Sequence, residues 1–232
     1  MNRTKFLLII CEGTTDKVTL YLPTKNFVDQ NKLTIKTEIT HGDVALKDNA
    51  TVESCQKEIK KIIDYYKRAY SLMADDFFGV YHIIDTDGAF IEKDIYKEAD
   101  RYFIDEATEI IFTNDIEKSK KLHSQKKKIY ACLSSLGEIA NVNYKVLFFS
   151  RNLEHTLYDK PNCTNCEKIN LSKEFESLYE NDANEFYKLI DNCAFSVPKN
   201  YNDSWKYIMS DTNSIHRGEN YIIMLNDLKN NG

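Results

Sequence analysis

The chain has 232 residues and a formal net charge of −5 at pH 7, with 42% hydrophobic and 29% charged residues. This composition excludes a disordered chain and a collagen-like chain, and no apolar run reaches the roughly 18–20 residues that span a bilayer. The six cysteines are expected to be thiols in a cytoplasmic protein, because the first residues do not resemble an export signal.

Predicted strands alternate with predicted helices along the chain. Apolar or alternating segments predict strands at 5–11, 33–40, 77–84, 109–113 and 145–150. Helical spacing of apolar residues predicts helices at 16–29, 52–73, 92–103 and 116–140, followed by a mainly helical stretch from 152 that ends with a helix at 219–229. This alternation predicts an α/β fold with a mostly parallel sheet flanked by helices.

Carboxylates follow three of the predicted strands. Glu12 comes after the first strand, Asp85 and Asp87 after the strand at 77–84, and Glu154 after the strand at 145–150. Ligand sites of parallel α/β sheets form at the carboxyl ends of the strands. Acidic residues also cap helices that follow strands, but three such strand ends favour a functional site.

The spacing of these carboxylates predicts a cation site. Asp85 and Asp87 are two residues apart, so on an extended backbone their side chains point the same way and repel each other unless a cation lies between them. Oxygen ligands suit Mg²⁺ or Mn²⁺, and Glu12 would complete the site. Asp16 could face the same cation or simply stabilise the first turn of its helix, and the sequence leaves both interpretations open.

Three segments carry a resemblance to a known family. The segments 12–16 (EGTTD) and 85–87 (DTD), each after an apolar strand, look like the Glu-Gly turn and the Asp-x-Asp of the TOPRIM domain. That domain occurs in topoisomerases, DnaG-type primases, OLD-family nucleases and small nucleases. The segment 148–157 (FFSRNLEHTL) resembles the Ser-Asn-Pro…Glu…Leu segment of RloB-like and AbiLii-like proteins, although Asn152 is not followed by proline.

The resemblance implies a Rossmann-like TOPRIM catalytic domain over residues 1–160, with residues 161–232 as a mainly helical extension packed on it. It implies an Mg²⁺-dependent nuclease that hydrolyses phosphodiester bonds of DNA or RNA, tRNA included, in bacterial anti-phage defence or abortive infection. Asp85 and Asp87 would hold Mg²⁺ (or Mn²⁺), Glu12 would be a metal ligand or general base, and Glu154 a supporting carboxylate. A separate ABC-type ATPase is the implied partner. The sequence leaves open whether the chain forms a homo-oligomer.

A lysine cluster would supply the basic patch that nucleic-acid binding by an acidic protein needs. Its members are Lys118, Lys120, Lys121, Lys126, Lys127 and Lys128. A solvated helix face is the competing interpretation, and both predict that these side chains are exposed.

Two other functions stay open. The segment 81–88 (YHIIDTDG) looks like the first motif of haloacid-dehalogenase-type phosphatases, in which Asp85 would be the phosphoryl-accepting nucleophile and Asp87 the acid/base. The chain could also be a non-catalytic TOPRIM-like binding module. Separately, Cys163 and Cys166 have the spacing of half a zinc site, to which Cys193 and His155 could contribute.

Overall fold

A computed structural model describes residues 4–42, 50–91, 94–192, 194–195, 197–198 and 200–231. Its strands are β1 (Lys5–Cys11), β2 (Ile35–His41), β3 (Phe77–Asp85), β4 (Tyr96–Glu98), β5 (Phe103–Asp105), β6 (Ile110–Thr113), β7 (Glu138–Ile139) and β8 (Val142–Phe149). Five of them form one sheet in the order β2-β1-β3-β8-β7. The first four run parallel and the edge strand β7 is antiparallel.

Helices cover both faces of this sheet. They are α1 (Thr14–Gln30), α2 (Val52–Ala69), α3 (Ile116–Ser134), α4 (Leu153–Tyr158), α5 (Asn165–Tyr179), α6 (Ala183–Ile190), α7 (Tyr201–Ile208) and α8 (Ile222–Asn231). None of the helices in the described part of the chain is long and apolar enough to cross a membrane.

The strands of the sheet contribute side chains to two hydrophobic cores, one on each face of the sheet. Successive side chains of a strand point to opposite faces, so Leu7 and Ile9 of β1 enter one core while Leu8 and Ile10 enter the other. The first core is completed by α1, α5, α6 and α8, and the second by α2, α3 and α7. The C-terminal helices therefore share both cores with the sheet.

The predicted α/β class and mostly parallel sheet are confirmed, and each predicted strand is present with its ends shifted by a few residues. The helix predicted at 92–103 is wrong over its described part, 94–103, because that stretch contains β4 and the beginning of β5. Tyr96 pairs with Ile111 and Phe103 with Phe112, so cross-strand pairing of aromatic and β-branched residues outweighs the helical spacing. Residues 92 and 93 lie outside the described part of the chain.

Three other predicted helices extend beyond the observed ones. The helix predicted at 52–73 ends at Ala69. The helix predicted at 116–140 ends at Ser134, and Glu138–Ile139 then pairs with β8. The last helix begins at Ile222 rather than at Glu219, because Glu219 forms a β-bridge with Phe149 and its carboxylate accepts a hydrogen bond from the Ile222 amide at 2.9 Å. The C-terminal segment is thereby tied to the end of β8.

A second, smaller sheet of order β4-β6-β5 lies between β3 and α3 in the chain. Ile104 and Ile111 form a small core with Ile215. The small sheet reaches the turn after β3, since the Tyr102 hydroxyl donates to the Asp87 carbonyl oxygen at 3.1 Å. It therefore forms one wall of the region where the predicted site residues lie.

Candidate active site

The Asp85-Thr86-Asp87 segment turns sharply at the end of β3. Asp85 is the last residue of the strand, while Asp87 and Gly88 have φ values of 47° and 75°. Aspartate tolerates this left-handed conformation better than most residues. A Cβ atom at Gly88 would lie 2.9 Å from the Cγ2 atom of Ile215. The positive φ value and this close approach both favour glycine at position 88. The expectation that Asp87 lies on extended backbone is therefore wrong.

Hydrogen bonds lock this turn to the end of β8. The buried Thr86 hydroxyl accepts from the Arg151 amide at 2.7 Å and donates to the Ser214 carbonyl oxygen at 2.8 Å. The Asp87 amide donates to the Arg151 carbonyl oxygen at 2.9 Å. A carboxylate oxygen of Asp85 accepts from the Leu153 amide at 3.1 Å, at the beginning of α4. The ends of β3 and β8 are thus held together by side-chain and backbone hydrogen bonds.

The acidic residues from the three strand ends lie close enough for their charges to interact. Burial raises the pKa of Asp85 well above its ordinary value, and four other carboxylates raise it further. These carboxylates belong to Asp16, Glu12, Asp87 and Glu154. The acidic residues that the sequence predicts for the site therefore lie within electrostatic range of Asp85.

Glu12 follows β1 and lies beneath α3. Its carboxylate accepts a 2.5 Å hydrogen bond from the Tyr130 hydroxyl. Burial is the main cause that raises the pKa of Glu12 from 4.5 to about 7. The Lys126 ammonium group lowers this pKa, and the Asp87 carboxylate raises it further. Glu12 therefore has the pKa of a group that exchanges a proton near neutral pH. Sequence reasoning missed Tyr130, although its position four residues after Lys126 puts both on one helix face.

Lys126 is the main correction to the predicted lysine patch. The sequence predicts an exposed side chain, but Lys126 is fully buried and its Nζ atom lies 2.5 Å from a carboxylate oxygen of Asp87. Burial alone would lower the pKa of Lys126, yet Asp87 and Glu12 outweigh burial and raise it. Lys126 is therefore charged and acts as the internal counter-cation of the acidic cluster. Lys118, Lys121 and Lys128 are exposed, and Lys120 and Lys127 are half-buried.

Asp16 and Glu154 form the other side of the cluster, towards α5. Asp16 accepts a hydrogen bond from the Gly13 amide at 2.9 Å, so it caps the beginning of α1. Burial raises the pKa of Asp16, and Glu154 contributes to that rise. Glu154 is 2% exposed and forms an ion pair with Lys168 of α5 at 2.9 Å. Sequence patterns do not point to Lys168, because its contact with Glu154 depends on how α5 packs.

No protein-family model, curated protein or solved structure matches this chain. The sheet order and the flanking helices are compatible with a Rossmann-like fold.

The acidic cluster fits a hard divalent cation by its chemistry. Its donors are all carboxylate oxygens, which suit Mg²⁺ or Mn²⁺, and their mutual repulsion raises the pKa of Asp85. Among the described residues, however, no three side chains of the metal-binding types already surround one point. Lys126 binds Asp87 and Tyr130 binds Glu12, so a cation would have to compete with these two donors.

Histidines and cysteines near the cluster have other contacts. His155 and His216 both approach Glu106, at 2.9 and 3.1 Å, which ties the β5–β6 turn to α4 and to the segment before α8. Cys163 is half-buried and its thiol donates to the Lys160 carbonyl oxygen, while Cys166 is exposed. Cys193 lies outside the described residues, so the zinc hypothesis stays a prediction.

Three cavities lie close to the acidic cluster, and Asp87 lines two of them. The first, of about 520 Å³, is lined by Lys120, Lys127 and His123 among others, and we call it the lysine cavity. The second, of about 280 Å³, shares His123 with the first and also contains Asp87 and Lys126. The third, of about 270 Å³, shares Asp87 with the second, and we call it the arginine cavity because Arg101 and Arg151 line it. Cationic side chains thus lie on either side of the acidic cluster.

The raised pKa of Glu12 predicts a pH dependence of stability. An acid whose pKa is higher in the folded state favours folding while it is protonated, so its contribution is lost as the pH rises. For Glu12 this loss should occur between about pH 4.5 and about pH 7 in metal-free protein. Glu12→Gln should flatten that fall, because glutamine still accepts from Tyr130 but does not titrate. Urea unfolding of both proteins in EDTA at several pH values measures the difference, and a difference that is constant across this range would contradict the assignment.

Proposed function

We propose that this chain is a divalent-metal-dependent nuclease of the TOPRIM type, which hydrolyses phosphodiester bonds of DNA or RNA in the cytoplasm of a bacterium as part of anti-phage defence. The observation that carries the proposal is that three adjacent parallel strands each have an acidic residue at or just after the carboxyl end, and that these residues lie near enough to raise the pKa of Asp85. The Glu-Gly turn and the Asp-x-Asp segment stand at two of these ends, as the TOPRIM resemblance implies. The ABC-type ATPase partner belongs to the same proposal.

Each acidic residue has a role in this account. Asp85 and Asp87 would hold the cation, which when bound stabilises negative charge on the phosphorus oxygens and activates a water nucleophile. Glu12, with a pKa of about 7, is suited to accept a proton at neutral pH. Glu154 supports the cluster from α4, and Lys168 holds it in place.

The lysines on α3 give the substrate a path towards Asp87. Lys120 and Lys127 line the lysine cavity, which adjoins the cavity that contains Asp87. Exposed Lys118, Lys121 and Lys128 extend the positive charge along the same helix. Phosphate contacts with such side chains supply sequence-independent affinity. Lys126 is left out of this path because it is buried.

The metal-centre interpretation also accounts for more residues than the phosphatase alternative. A phosphatase that used Asp85 as a nucleophile would leave Glu12 and Glu154 without a role. Both act on the charge of Asp85 in the structure, and four surrounding carboxylates would repel an incoming phosphate ester without a cation.

Cleavage assays on Glu154→Gln test the proposal. Purified protein is incubated separately with plasmid DNA and total tRNA in Mg²⁺ or Mn²⁺. We expect Glu154→Gln to lower the cleavage rate by about 10- to 100-fold, the usual loss when a group that supports a metal site is removed. Glu109→Gln is the matched control, because Glu109 contacts Thr212 and His216 away from the cluster. Equal rates for the two variants would remove Glu154 from the site.

A further inference from the structure

Arg151 is a buried cation whose guanidinium group is only partly satisfied. The residue is 2% exposed, and its Nη2 atom donates to the Asn162 side-chain oxygen at 2.5 Å. Its Nη1 atom is buried and has no hydrogen-bond partner. No ion pair joins Arg151 to a carboxylate within the described part of the chain. An arginine is always charged, so leaving a donor of this group unmatched is costly unless a ligand completes it.

The hydrogen bonds that join the end of β8 to the turn after β3 do not involve the guanidinium group of Arg151. Arg151 ties the end of β8 to the turn after β3 through its backbone amide and carbonyl groups alone. A smaller side chain with the same backbone conformation would keep those bonds. The guanidinium group, which contacts Asn162, is therefore not needed for the bonds between these two strand ends.

The arginine cavity offers the space and the charge for an anion. Besides Arg151 it is lined by Arg101 and Lys168, and by the amide side chains of Asn152 and Asn162. Asp87 is the acidic residue in this lining, and Lys126 offsets its charge at 2.5 Å. Lys168 also lines the cavity, but its charge is partly neutralised by its ion pair with Glu154. The cavity is therefore positive, and its volume of about 270 Å³ exceeds that of a single phosphate group.

We propose that the arginine cavity is an anion subsite that binds a phosphate group of the substrate through the two arginines that line it, Arg101 and Arg151. This proposal rests on the proposed nuclease function and deepens it, because the phosphate held here would be a neighbour of the one attacked at Asp85 and Asp87. Guanidinium groups bind phosphate oxygens through charge-assisted and often bidentate hydrogen bonds. Arg101, at the exposed mouth of the cavity, contributes a second cation.

Binding calorimetry in EDTA tests the subsite without involving the metal centre. The ligands are inorganic phosphate, a 5′-mononucleotide, the corresponding nucleoside and a short oligonucleotide. We expect the three phosphate-bearing ligands to bind and the nucleoside not to bind. Tighter binding of the oligonucleotide than of inorganic phosphate would assign the site to a polymer backbone, and equal or tighter binding of the mononucleotide would assign it to a free nucleotide.

Matched variants identify the residue. Arg151→Lys should weaken phosphate binding by about tenfold, because lysine keeps the charge but loses the planar pair of donors. Arg101→Gln should weaken it several-fold and, being at an exposed position, should leave folding intact. Arg68→Gln, on an exposed position of α2, is the control and should bind as the wild type does. Absence of phosphate binding by the wild type, or equal binding by the Arg101 and Arg151 variants and the wild type, would overturn the subsite. Neither result would bear on the proposed metal-dependent nuclease activity, since the binding assay contains EDTA and no divalent metal.

Discussion

Lys126→Met should lower the free energy of unfolding of the metal-free protein by about 3 kcal/mol. The change removes the buried ammonium group that lies 2.5 Å from Asp87 and leaves a buried acidic cluster without its counter-charge. We expect the lower end of the usual range for a broken buried ion pair, because the Asp87 side chain is 33% exposed. Methionine retains most of the aliphatic stem, so the loss reports the charge rather than the packing.

The same variant should respond more strongly to divalent cations than the wild type does. Without Lys126, a divalent cation no longer competes with an ammonium group for the carboxylate of Asp87. Binding of Mn²⁺ should therefore restore a large part of the lost free energy of unfolding. Thermal melts in EDTA and in Mn²⁺ measure both effects. Lys128→Met is the matched control on the exposed side of α3 and should change stability by less than about 0.5 kcal/mol. A Lys126→Met protein as stable as the wild type in EDTA would show that Lys126 is not the counter-cation.

Asp85→Asn should abolish the stabilisation by Mn²⁺ while leaving the metal-free protein as stable as the wild type, or more stable. The pKa of Asp85 is raised by burial and by four neighbouring carboxylates, so removing its charge relieves repulsion. Asparagine keeps the side-chain oxygen that accepts from the Leu153 amide. For the wild type, a hundredfold excess of Mn²⁺ over Kd corresponds to roughly 2.7 kcal/mol of stabilisation. Cleavage should be lost together with the response to Mn²⁺.

Asp87→Asn gives the contrasting result and serves as the comparison. From the sequence alone, removing either aspartate charge would relieve repulsion. In the structure Asp87 is the partner of buried Lys126, so its loss leaves a buried cation unpaired and should destabilise the metal-free protein. If melts in EDTA showed Asp87→Asn to be stable and Asp85→Asn to be unstable, the assignment of charges within the cluster would be wrong.

The sequence predicts the sheet and the positions of its acidic residues because both depend on local patterns. Continuous apolar runs identify β1, β3 and β8, and the carboxyl ends of parallel strands meet at one edge. Of the small sheet the sequence predicts only β6, because short strands such as Tyr96–Glu98 form only through pairing with it. The extended backbone that the sequence predicts through Asp87 is wrong as well, since Asp87 and Gly88 adopt a left-handed turn.

The electrostatic partners of the site could not be predicted, because they come from distant parts of the chain. Lys126 lies 39 residues from Asp87, and Lys168 reaches Glu154 from a separate helix. Periodicity places lysines on a helix face but does not say which lysine faces a buried carboxylate, so Lys126 was grouped with its exposed neighbours. The sequence does not single out Arg151, since the cavity that it lines is formed by residues from distant parts of the chain.

Electron paramagnetic resonance of Mn²⁺ tests most directly whether the acidic cluster around Asp85 holds a divalent cation. Mn²⁺ is titrated into the wild type, Asp85→Asn and Glu109→Gln at neutral pH, and the signal of unbound Mn²⁺ is followed. We predict that the wild type and Glu109→Gln reduce this signal equally and that Asp85→Asn leaves most of the Mn²⁺ in solution. An unchanged Mn²⁺ signal with the wild type, or equal binding by Asp85→Asn, would contradict the metal centre.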